Sequence, residues 1–213
     1  MALSTKRKPH KKGKPTFIEE ARRKQILEIA INEIETRGYR NTTIQDIAKK
    51  ADVSKGVIYY HFNTREELLS EIWSALLEEL FAYRKKRVER QKTAQAMLRA
   101  YVKAHFDFLK MNFNKFIALF TMGIDLNPAD NQTHPWSRDI NKRCFSYLSG
   151  ILEHGQQNGE FNSFPVPRVA PIIQGALDGL ILQWVATPDL VDFKGCRQVL
   201  MDIIEQYTAP KTS

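Results

Sequence analysis

TTIQDIAKKADVSKGVIYYHFNTREEL, residues 42–68, is the stretch that decides the fold of this chain. It predicts two short helices joined by a tight turn and followed by the start of a longer helix. Thr42 or Thr43 can cap the first helix, because each is followed three residues later by a polar side chain. Ser54 is placed to cap the second, which spans 55–62 and is too short to be stable alone. This arrangement matches a helix-turn-helix, whose second helix enters the major groove of DNA.

The residues on either side fit a small three-helix domain. Thr16 and Glu19 predict a capping box for an earlier helix, and Gly38 suits the left-handed position after its last turn. Thr64 and Glu67 predict a second capping box, which opens the helix that follows. The apolar residues of the earlier helix recur at helical spacing and are expected to form a buried stripe: Ile18, Ala21, Ile26, Ile29, Ala30 and Ile34.

The charge of the chain is concentrated in the same region. Of the 213 residues, 32 are Lys or Arg and 24 are Asp or Glu, a formal net charge of +8. Residues 1–65 hold 15 of the basic and 7 of the acidic residues, whereas residues 66–213 hold 17 of each. The whole excess therefore lies with the helix-turn-helix pattern, as expected of a surface that binds phosphates. A basic face that only keeps the protein soluble would not explain this segregation.

The region resembles the tetracycline-repressor (TetR) family of bacterial transcription regulators. The resemblance covers roughly residues 17–75. It is carried by TIQDIA at 43–48, VSKG at 53–56, IYYHF at 58–62 and REEL at 65–68. It implies an N-terminal helix-turn-helix domain that binds DNA, and a C-terminal helical domain that binds an inducer and dimerises through its last two helices.

The resemblance also implies which residues contact DNA. The positions that commonly reach bases in the family are those of Gln45, Lys55, Gly56 and Tyr59. The positions that commonly hold the DNA backbone are those of Thr43, Tyr60, His61 and Arg65. Residue chemistry adds that Lys55 can donate to guanine, that Gly56 allows a close approach of the backbone, and that Val57 can contact a thymine methyl group. Alternatively, Tyr59 is half core and Lys55 is a solvated lysine.

The rest of the chain divides into a basic arm and a helical body. Residues 1–15 hold six Lys or Arg, two prolines and no acid, which predicts a disordered arm that either follows DNA or is only a floppy tail. We expect the DNA-binding domain over 16–64 and a ligand-binding and dimerisation domain over 65–213. A helix over 65–90, basic at its end from Arg84 to Arg87, connects the two. The pattern stays helical throughout, which predicts an all-α fold of about nine helices.

Three further features of the sequence limit the classes of protein to which the chain can belong. The most apolar stretch, 169–186, carries Gln174, Asp178 and Gln183, so we expect a buried helix and not a membrane span. The basic N-terminus has no apolar stretch behind it, which argues against secretion and for a cytoplasmic protein. Cys144 and Cys196 are expected to be reduced thiols. The five histidines have no zinc-site spacing and no catalytic motif is present, so we predict no enzyme, no metal and no cofactor.

The C-terminal half predicts a pocket for a small, apolar or aromatic effector. It is rich in aromatic residues and contains polar groups that could anchor a ligand between helices. The candidate lining residues are Trp73, Tyr101, His105, Phe108, Phe116, Phe120, Phe145, Gln174 and Asp178. The pattern predicts a short aromatic sixth helix over 113–124, a loop at 127–131 and a seventh helix from 135 or 136. Aromatic stripes at helical spacing are also typical of plain core, so both interpretations stay open.

The last two helices predict a homodimer interface. The helix over 169–185 is apolar on most of its circumference and needs covering on more than one side, and its small residues allow another helix to approach closely. Two such helices from each chain would form a four-helix bundle about a two-fold axis. The predicted contact residues are Ile173, Ala176, Leu177, Leu180, Trp184, Leu200, Ile203 and Ile204.

Together these features predict a dimeric repressor that binds a palindromic operator in duplex DNA and is released by a small-molecule inducer. Its two heads would read half-sites in successive major grooves, about 34–36 Å apart. Ligand among helices four to eight would favour a spacing of the heads that no longer fits. The alternatives are a ligand-independent or architectural DNA-binding protein whose C-terminal half only dimerises, and a helical enzyme or carrier whose basic head is incidental.

Overall fold

The computed structural model describes residues 16–38, 40–116, 135–187 and 189–210, and only the backbone of residues 135–138 and 140. Within these ranges the chain is helical and has no strand, which confirms the predicted all-α class. The helices are α1 (Phe17–Arg37), α2 (Ile44–Lys50), α3 (Lys55–His61), α4 (Arg65–Val88), α5 (Ala94–Met111), α6 (Pro135–Gln157), α7 (Val166–Ala186) and α8 (Phe193–Thr208).

Some predictions concern residues that lie partly or wholly outside the described ranges. A helical turn at 113–116 marks the start of the predicted sixth helix. The rest of that helix with Phe120, the loop at 127–131 and the arm at 1–15 lie outside the described residues.

The chain divides into two compact units, and the division lies inside α4, between Leu68 and Leu69. We call them the head, which contains α1 to α3 and the start of α4, and the body, which contains the rest. The predicted domain boundary after residue 64 coincides with the start of α4 and stays a prediction about where the two functions separate.

The caps of the head helices lie where the sequence predicts them. Thr43 caps α2, because its hydroxyl accepts from the Asp46 amide at 3.2 Å while the Asp46 carboxylate accepts from the Thr43 amide at 3.0 Å. Thr42, the other candidate, is buried and donates its hydroxyl to the carbonyl of Gly38 at 2.9 Å. Ser54 caps α3 through the amide of Val57, at 3.4 Å. Local side-chain bonds therefore define both helices of the helix-turn-helix.

The core of the head is smaller than the sequence predicts. Ile26, Ala30 and Ile34 of α1 are buried, as expected. Ile18, however, is 78% exposed and Ala21 is also exposed, so the prediction that these two residues belong to the buried stripe is wrong. α2 and α3 have seven residues each and α1 has 21, so at the usual helical rise the two short helices cannot cover all of α1.

The body is built from α5, α6, α7 and α8, which pack against one another, together with the rest of α4. Phe106 of α5, Leu148 of α6 and Leu177 of α7 are buried at the centre. Near the C-terminal end of α6, the ring of Phe161 lies so close to Gly155 that a Cβ there would be 2.1 Å from a ring carbon. Only glycine fits this position, which fixes the turn between α6 and α7.

Among the described helices, α7 is long and apolar enough to cross a membrane by length and composition, a property that core helices of soluble proteins share. A third of its most apolar window, 33%, is buried within the chain. Ile173 and Leu177 face the core, whereas Ile172 is 69% exposed. The predicted buried helix is therefore covered on one face only in the isolated chain.

Candidate DNA-binding surface and buried polar ring

The helix α3 has a buried apolar seam and an exposed polar face. Ile58 within the helix and Phe62 after it are fully buried and fix the helix to the head. Lys55 and Gly56 are exposed in the first turn, and Tyr59 is 46% exposed, so both interpretations of Tyr59 remain open. Short helices need such anchoring because they are unstable alone. The seam therefore turns a set of donors outward, in the geometry that major-groove recognition requires.

The other predicted DNA contacts differ in how exposed they are. Thr43 and Gln45 are exposed at the start of α2, and Val57 is half-buried. His61 is only 9% exposed, and Arg65 is half-buried and donates to the carbonyl of Thr42 at 3.3 Å. The last two side chains therefore support the head from within.

Two residues of α1 hold the C-terminal end of α3, which the sequence analysis did not foresee. Glu19 accepts a hydrogen bond from the hydroxyl of Tyr60, and this bond lowers the pKa of Glu19 to about 2. One turn later, Arg23 donates to the carbonyl of His61, and its guanidinium carbon lies 4.4 Å from the centre of the Phe62 ring. The spacing of four residues between Glu19 and Arg23 was the signal, since it puts both on one face of α1.

Five side chains of the body form a ring of polar contacts, which we call the buried ring: Arg84 of α4, Tyr101 and His105 of α5, and Gln174 and Asp178 of α7. Arg84 Nη1 donates to the Tyr101 hydroxyl at 2.8 Å, and the hydroxyl donates to Gln174 Oε1 at 2.6 Å. Gln174 Nε2 donates to Asp178 Oδ1 at 2.8 Å. His105 lies between the two ends, with Nδ1 3.4 Å from Arg84 Nη1 and Nε2 3.5 Å from Asp178 Oδ1, where Nε2 makes no hydrogen bond to any described residue.

Burial decides the protonation of the ring. Arg84, Tyr101, His105 and Gln174 are each at most 3% exposed. Burial, with the positive charge of Arg84, lowers the pKa of His105 well below its usual value, so its ring is neutral. Although 52% of the Asp178 side chain is exposed, its carboxyl lies against buried groups, and burial raises its pKa to about 6. At neutral pH the ring therefore contains a fully buried cation and, on the opposite side, a partly exposed anion.

The structure brings together part of the predicted ligand-binding set. Four of its members, Tyr101, His105, Gln174 and Asp178, belong to the buried ring. Trp73 and Phe116 form a separate pair with ring centres 6.2 Å apart. The remaining described members are Phe108, which is buried, and Phe145, which is half-buried.

Arg84 is the residue that sequence analysis missed. The sequence analysis named it only as the first residue of a basic run, yet its side chain is 1% exposed. The available signal was its spacing from Leu77 and Leu80, which are buried on the same side of α4. A charged residue on the apolar stripe of a helix is a candidate for a buried polar site.

A groove of about 280 Å³ lies between α5 and α8 of the body. It contains none of the predicted ligand-binding residues, and several of its charged side chains are already paired, for example Arg99 with Glu205 and Arg197 with Asp107. It is therefore a poor match for the predicted apolar pocket.

The predicted dimer residues lie on both sides of the last two helices. Ile173, Leu177 and Ile204 are at most 5% exposed, so the chain itself already covers them and their assignment to an outer surface needs correction. The others are half-buried or exposed: Ala176, Leu180, Trp184, Leu200 and Ile203. Hydrophobic periodicity identified α7 and α8 as apolar but did not separate their inner from their outer faces.

Two further predictions concern metal and thiol chemistry. Across the described ranges, no group of three or more His, Cys, Asp or Glu residues is arranged to hold a metal ion. Cys144, which is buried, and Cys196 are both free thiols.

Two family profiles match the chain in the order of its units. The profile described as bacterial regulatory proteins, tetR family, matches residues 26–72, and the profile described as YsiA-like protein, C-terminal region, matches residues 74–204. The chain belongs to the TetR family of bacterial regulatory proteins. The family predicted from the helix-turn-helix stretch is confirmed.

Named relatives share this length and layout. The fatty acid metabolism regulator protein of Bacillus subtilis is 25% identical over 181 residues, which are 84% of this chain and 92% of that protein. The transcriptional repressor KstR2 of Rhodococcus jostii is 28% identical over 142 residues, 67% of this chain and 69% of that protein. The crystal structure of FadR from Bacillus subtilis in complex with stearoyl-CoA superposes with a TM-score of 0.69, at 22% identity, over 86% of this chain and 98% of that one.

These comparisons confirm the predicted role. The chain is a DNA-binding transcriptional regulator of the TetR family. The relatives named above are regulators, and the absence of enzymatic activity in this chain stays a prediction.

Proposed function

We propose that this TetR-family chain is a cytoplasmic homodimeric repressor that binds a palindromic operator through α3 and leaves it when a small molecule binds in the body. The observation that carries the DNA-binding part is the exposed polar face of α3 above its fully buried seam of Ile58 and Phe62. A seam this well anchored holds the exposed donors in one orientation, which base recognition requires.

The exposures support a division of labour among the proposed DNA contacts. Lys55 and Gly56, in the exposed first turn of α3, are placed to approach base edges, together with Gln45 of α2. Thr43 at the N-terminus of α2 and the hydroxyl of Tyr60 are placed to bind phosphates. His61 and Arg65 instead support the end of α3 and the start of α4 from inside the head.

The outer faces of α7 and α8 support the dimer. On α7, Ile172 and Leu182 are 69% and 36% exposed, at the spacing of one helix face. Gly175 and Gly179 lie between them, and a Cβ added to either would meet no described atom of the chain within 4 Å. Because the chain's own packing does not require these glycines, we infer that a partner helix approaches there.

The outer face of α8 continues this surface with three apolar side chains at helical spacing, each more than half exposed: Val199, Ile203 and Tyr207. Covering such a two-helix face with the same face of a second copy would form the four-helix bundle of a two-fold dimer.

The proposed effector has a large apolar part. Phe108 and the Trp73–Phe116 pair lie in the body with the buried ring, and they offer the aromatic surface that binds apolar groups. The relative FadR, crystallised with stearoyl-CoA, has the same fold, so a long-chain acyl ligand is one candidate class. We propose no metal, no cofactor and no catalytic role.

The DNA-binding part is tested with the double variant Lys55→Ala, Tyr60→Ala. A preferred palindromic duplex is first selected from random DNA with the wild-type protein, and affinities are then measured at fixed salt. Losing a base contact and a phosphate contact in each half-site should weaken binding by about 100-fold. Lys142→Ala, an exposed lysine of α6, is the control and should bind normally. Unchanged affinity in a double variant that folds and dimerises would refute the proposed surface.

The dimer is tested with Ile172→Lys. A charge buried in the centre of an apolar interface without a partner should weaken dimerisation by about 100-fold or more, because its desolvation is not compensated. Sedimentation measurements over a range of concentrations give the dimerisation constant. Met111→Lys is the matched control, since Met111 is 61% exposed on α5, away from the proposed interface. A dimer that survives Ile172→Lys but not Met111→Lys would assign the interface to another face.

A further inference from the structure

The guanidinium of Arg84 uses only one of its two sides. Nη1 is saturated by the Tyr101 hydroxyl at 2.8 Å and the His105 ring at 3.4 Å. On the other side, Nη2 has only a long contact of 3.6 Å to Cys144 Sγ, and the buried Nε has no hydrogen-bond partner in the described part of the chain. The Nε–Nη2 edge is one of the two edges with which arginine binds carboxylates and phosphates through parallel hydrogen bonds.

The charge of Arg84 also lacks a direct counter-ion. No carboxylate of the described residues lies within the 4.0 Å of an ion pair, and the nearest acid of the buried ring, Asp178, is reached only through Gln174 or His105. Burial raises the pKa of the Cys144 thiol, so it stays neutral beside Arg84 and does not supply a negative charge. A buried cation with an unpaired edge is costly, and such a group calls for an explanation.

We propose that the Nε–Nη2 edge of Arg84 anchors an oxyanion, a carboxylate or a phosphate, at the end of the apolar effector. This inference rests on the proposed function for the claim that the ligand is an effector, but not for the binding site itself. An oxyanion accepting from Nε and Nη2 would supply the missing counter-ion and displace the weak contact to the Cys144 thiol, without breaking the bonds of Nη1.

The surroundings of Arg84 fit a ligand that is apolar beyond its charged end. The Phe81 ring centre lies 4.9 Å and the Tyr101 ring centre 4.8 Å from the guanidinium carbon. Phe108 is buried nearby in sequence on α5 and contacts Tyr83 of α4, with ring centres 5.5 Å apart. These aromatic surroundings favour an acid with an apolar chain over a small inorganic anion.

The site would also connect ligand binding to α4. Arg84 belongs to α4, whereas its partners belong to α5, to α6 through Cys144 and, by way of the buried ring, to α7. Because Arg84 is 1% exposed, an oxyanion reaches its free edge only if α4 and the helices that cover Arg84 move apart. Binding and the position of α4 are then thermodynamically linked.

The competing explanation is that the ring is only structural, with Asp178 compensating Arg84 at a distance through the neutral bridges. In that case the body would have no preference for acids over neutral molecules of the same shape. The two explanations therefore differ in a measurable specificity, and not only in stability.

The experiment compares four ligands with the same ten-carbon chain: decanoate, decyl phosphate, decanol and decyltrimethylammonium. Calorimetric titration of the wild-type protein without DNA, below the micelle concentrations, should show one or both acids binding at least about tenfold more tightly than decanol. The two acids distinguish a carboxylate from a phosphate. Equal binding of acids and decanol, a preference for the cation, or no binding of either acid would overturn the proposal.

Variants test whether Arg84 is the anchor. Arg84→Met should bind the preferred acid and decanol within about threefold of each other, and Arg84→Lys, which keeps the charge but loses the fork, should retain part of the preference. Arg143→Met is the matched control. Arg143 also lies on the Phe81 ring, at 4.2 Å, but it is exposed and paired with Glu78, so its loss should leave the preference intact. A preference that survives Arg84→Met would overturn the proposal. If Arg84→Met does not fold, Arg84→Lys and the wild-type series decide.

Operator release measured separately distinguishes this inference from the proposed function. If an acid binds through Arg84 but does not release DNA, the binding site is supported and the effector mechanism is contradicted. Release of DNA by decanol as effectively as by the acids, with Arg84→Met still responsive, would keep the mechanism and contradict the site.

Discussion

On α3 the polar side chains other than His61 face solvent, whereas in the buried ring they face one another. Each region contains a tyrosine whose hydroxyl donates to a side chain of another helix: Tyr60 to Glu19 in the head, and Tyr101 to Gln174 in the body. Tyr60 is 51% exposed and Tyr101 is fully buried. Water can replace the partner of the first hydroxyl but not that of the second, so only the second bond is expected to matter for stability.

The two acids of these regions differ in the same way. The hydrogen bond from Tyr60 lowers the pKa of Glu19 to about 2, so this carboxylate stays charged under all ordinary conditions. Burial raises the pKa of Asp178 to about 6, so this carboxyl changes its charge close to neutral pH. Glu19 in the head therefore keeps a constant charge, whereas the charge of Asp178 in the buried ring depends on its surroundings.

Removing one hydroxyl from each region gives the largest expected difference. Tyr101→Phe leaves Gln174 Oε1 without its buried donor and Arg84 Nη1 with the His105 ring alone, which should lower the free energy of unfolding by about 2 kcal/mol. Tyr60→Phe should leave stability unchanged within error but weaken binding to the operator. Urea denaturation of both variants measures the loss of stability, and DNA titration measures the loss of operator affinity. Equal losses of stability would show that burial does not distinguish the two hydroxyls.

The head could be predicted because its signals are local. Thr43 and Ser54 cap helices through amides three residues away, and the buried seam of Ile58 and Phe62 has helical spacing. Local signals wrongly predicted that Ile18 is buried, because the length of α1 that α2 and α3 cover depends on how the helices pack.

The buried ring could not be predicted in the same way. Arg84 meets α5 and α6 only after the helices have packed, and its neighbours in sequence, Lys85 and Lys86, are exposed. The inner face of α7, with Leu177, and its outer face, with Ile172, are equally apolar, so hydrophobic pattern alone could not assign the dimer surface. The aromatic and polar residues of the body were recognised as ligand-binding candidates by their type. The charged residue of the buried ring, Arg84, was not.

Asp178→Asn gives the next largest effect, and it depends on pH. Because the pKa of Asp178 is raised in the folded chain, its contribution to stability is present below the pKa of the unfolded chain and is lost as the pH rises through about 6. The variant, which cannot ionise, should equal the wild type near pH 4 and be more stable near pH 7. Since half of the side chain is exposed, water screens the penalty, and we expect a gain of about 1 kcal/mol. Thermal unfolding across this pH range measures the gain.

Asp202→Asn provides the matched control for this variant. Asp202 accepts from Gln198, four residues earlier on α8, at 2.8 Å, as Asp178 does from Gln174 on α7, but it lies in the groove between α5 and α8 and not against the buried ring. The difference between the two variants is therefore the contribution of burial. A gain near pH 7 that is the same for both would remove burial as the cause.

Glu19→Gln gives the smallest effect and concerns DNA alone. Glutamine keeps one acceptor oxygen, which can still accept the hydrogen bond from Tyr60, whereas its amide nitrogen replaces the oxygen that accepts from the Thr16 amide. The substitution also removes a negative charge beside a proposed phosphate contact. Operator affinity should therefore rise by about two- to threefold at moderate salt. Because the pKa of Glu19 is lowered, its contribution to stability is lost only as the pH falls towards about 2, so the gain in affinity should be constant over the neutral range. Glu20→Gln, one residue further on and also at the surface, is the control. If the two variants raise affinity equally, the effect is one of total charge, and the placement of Tyr60 at a phosphate loses its support.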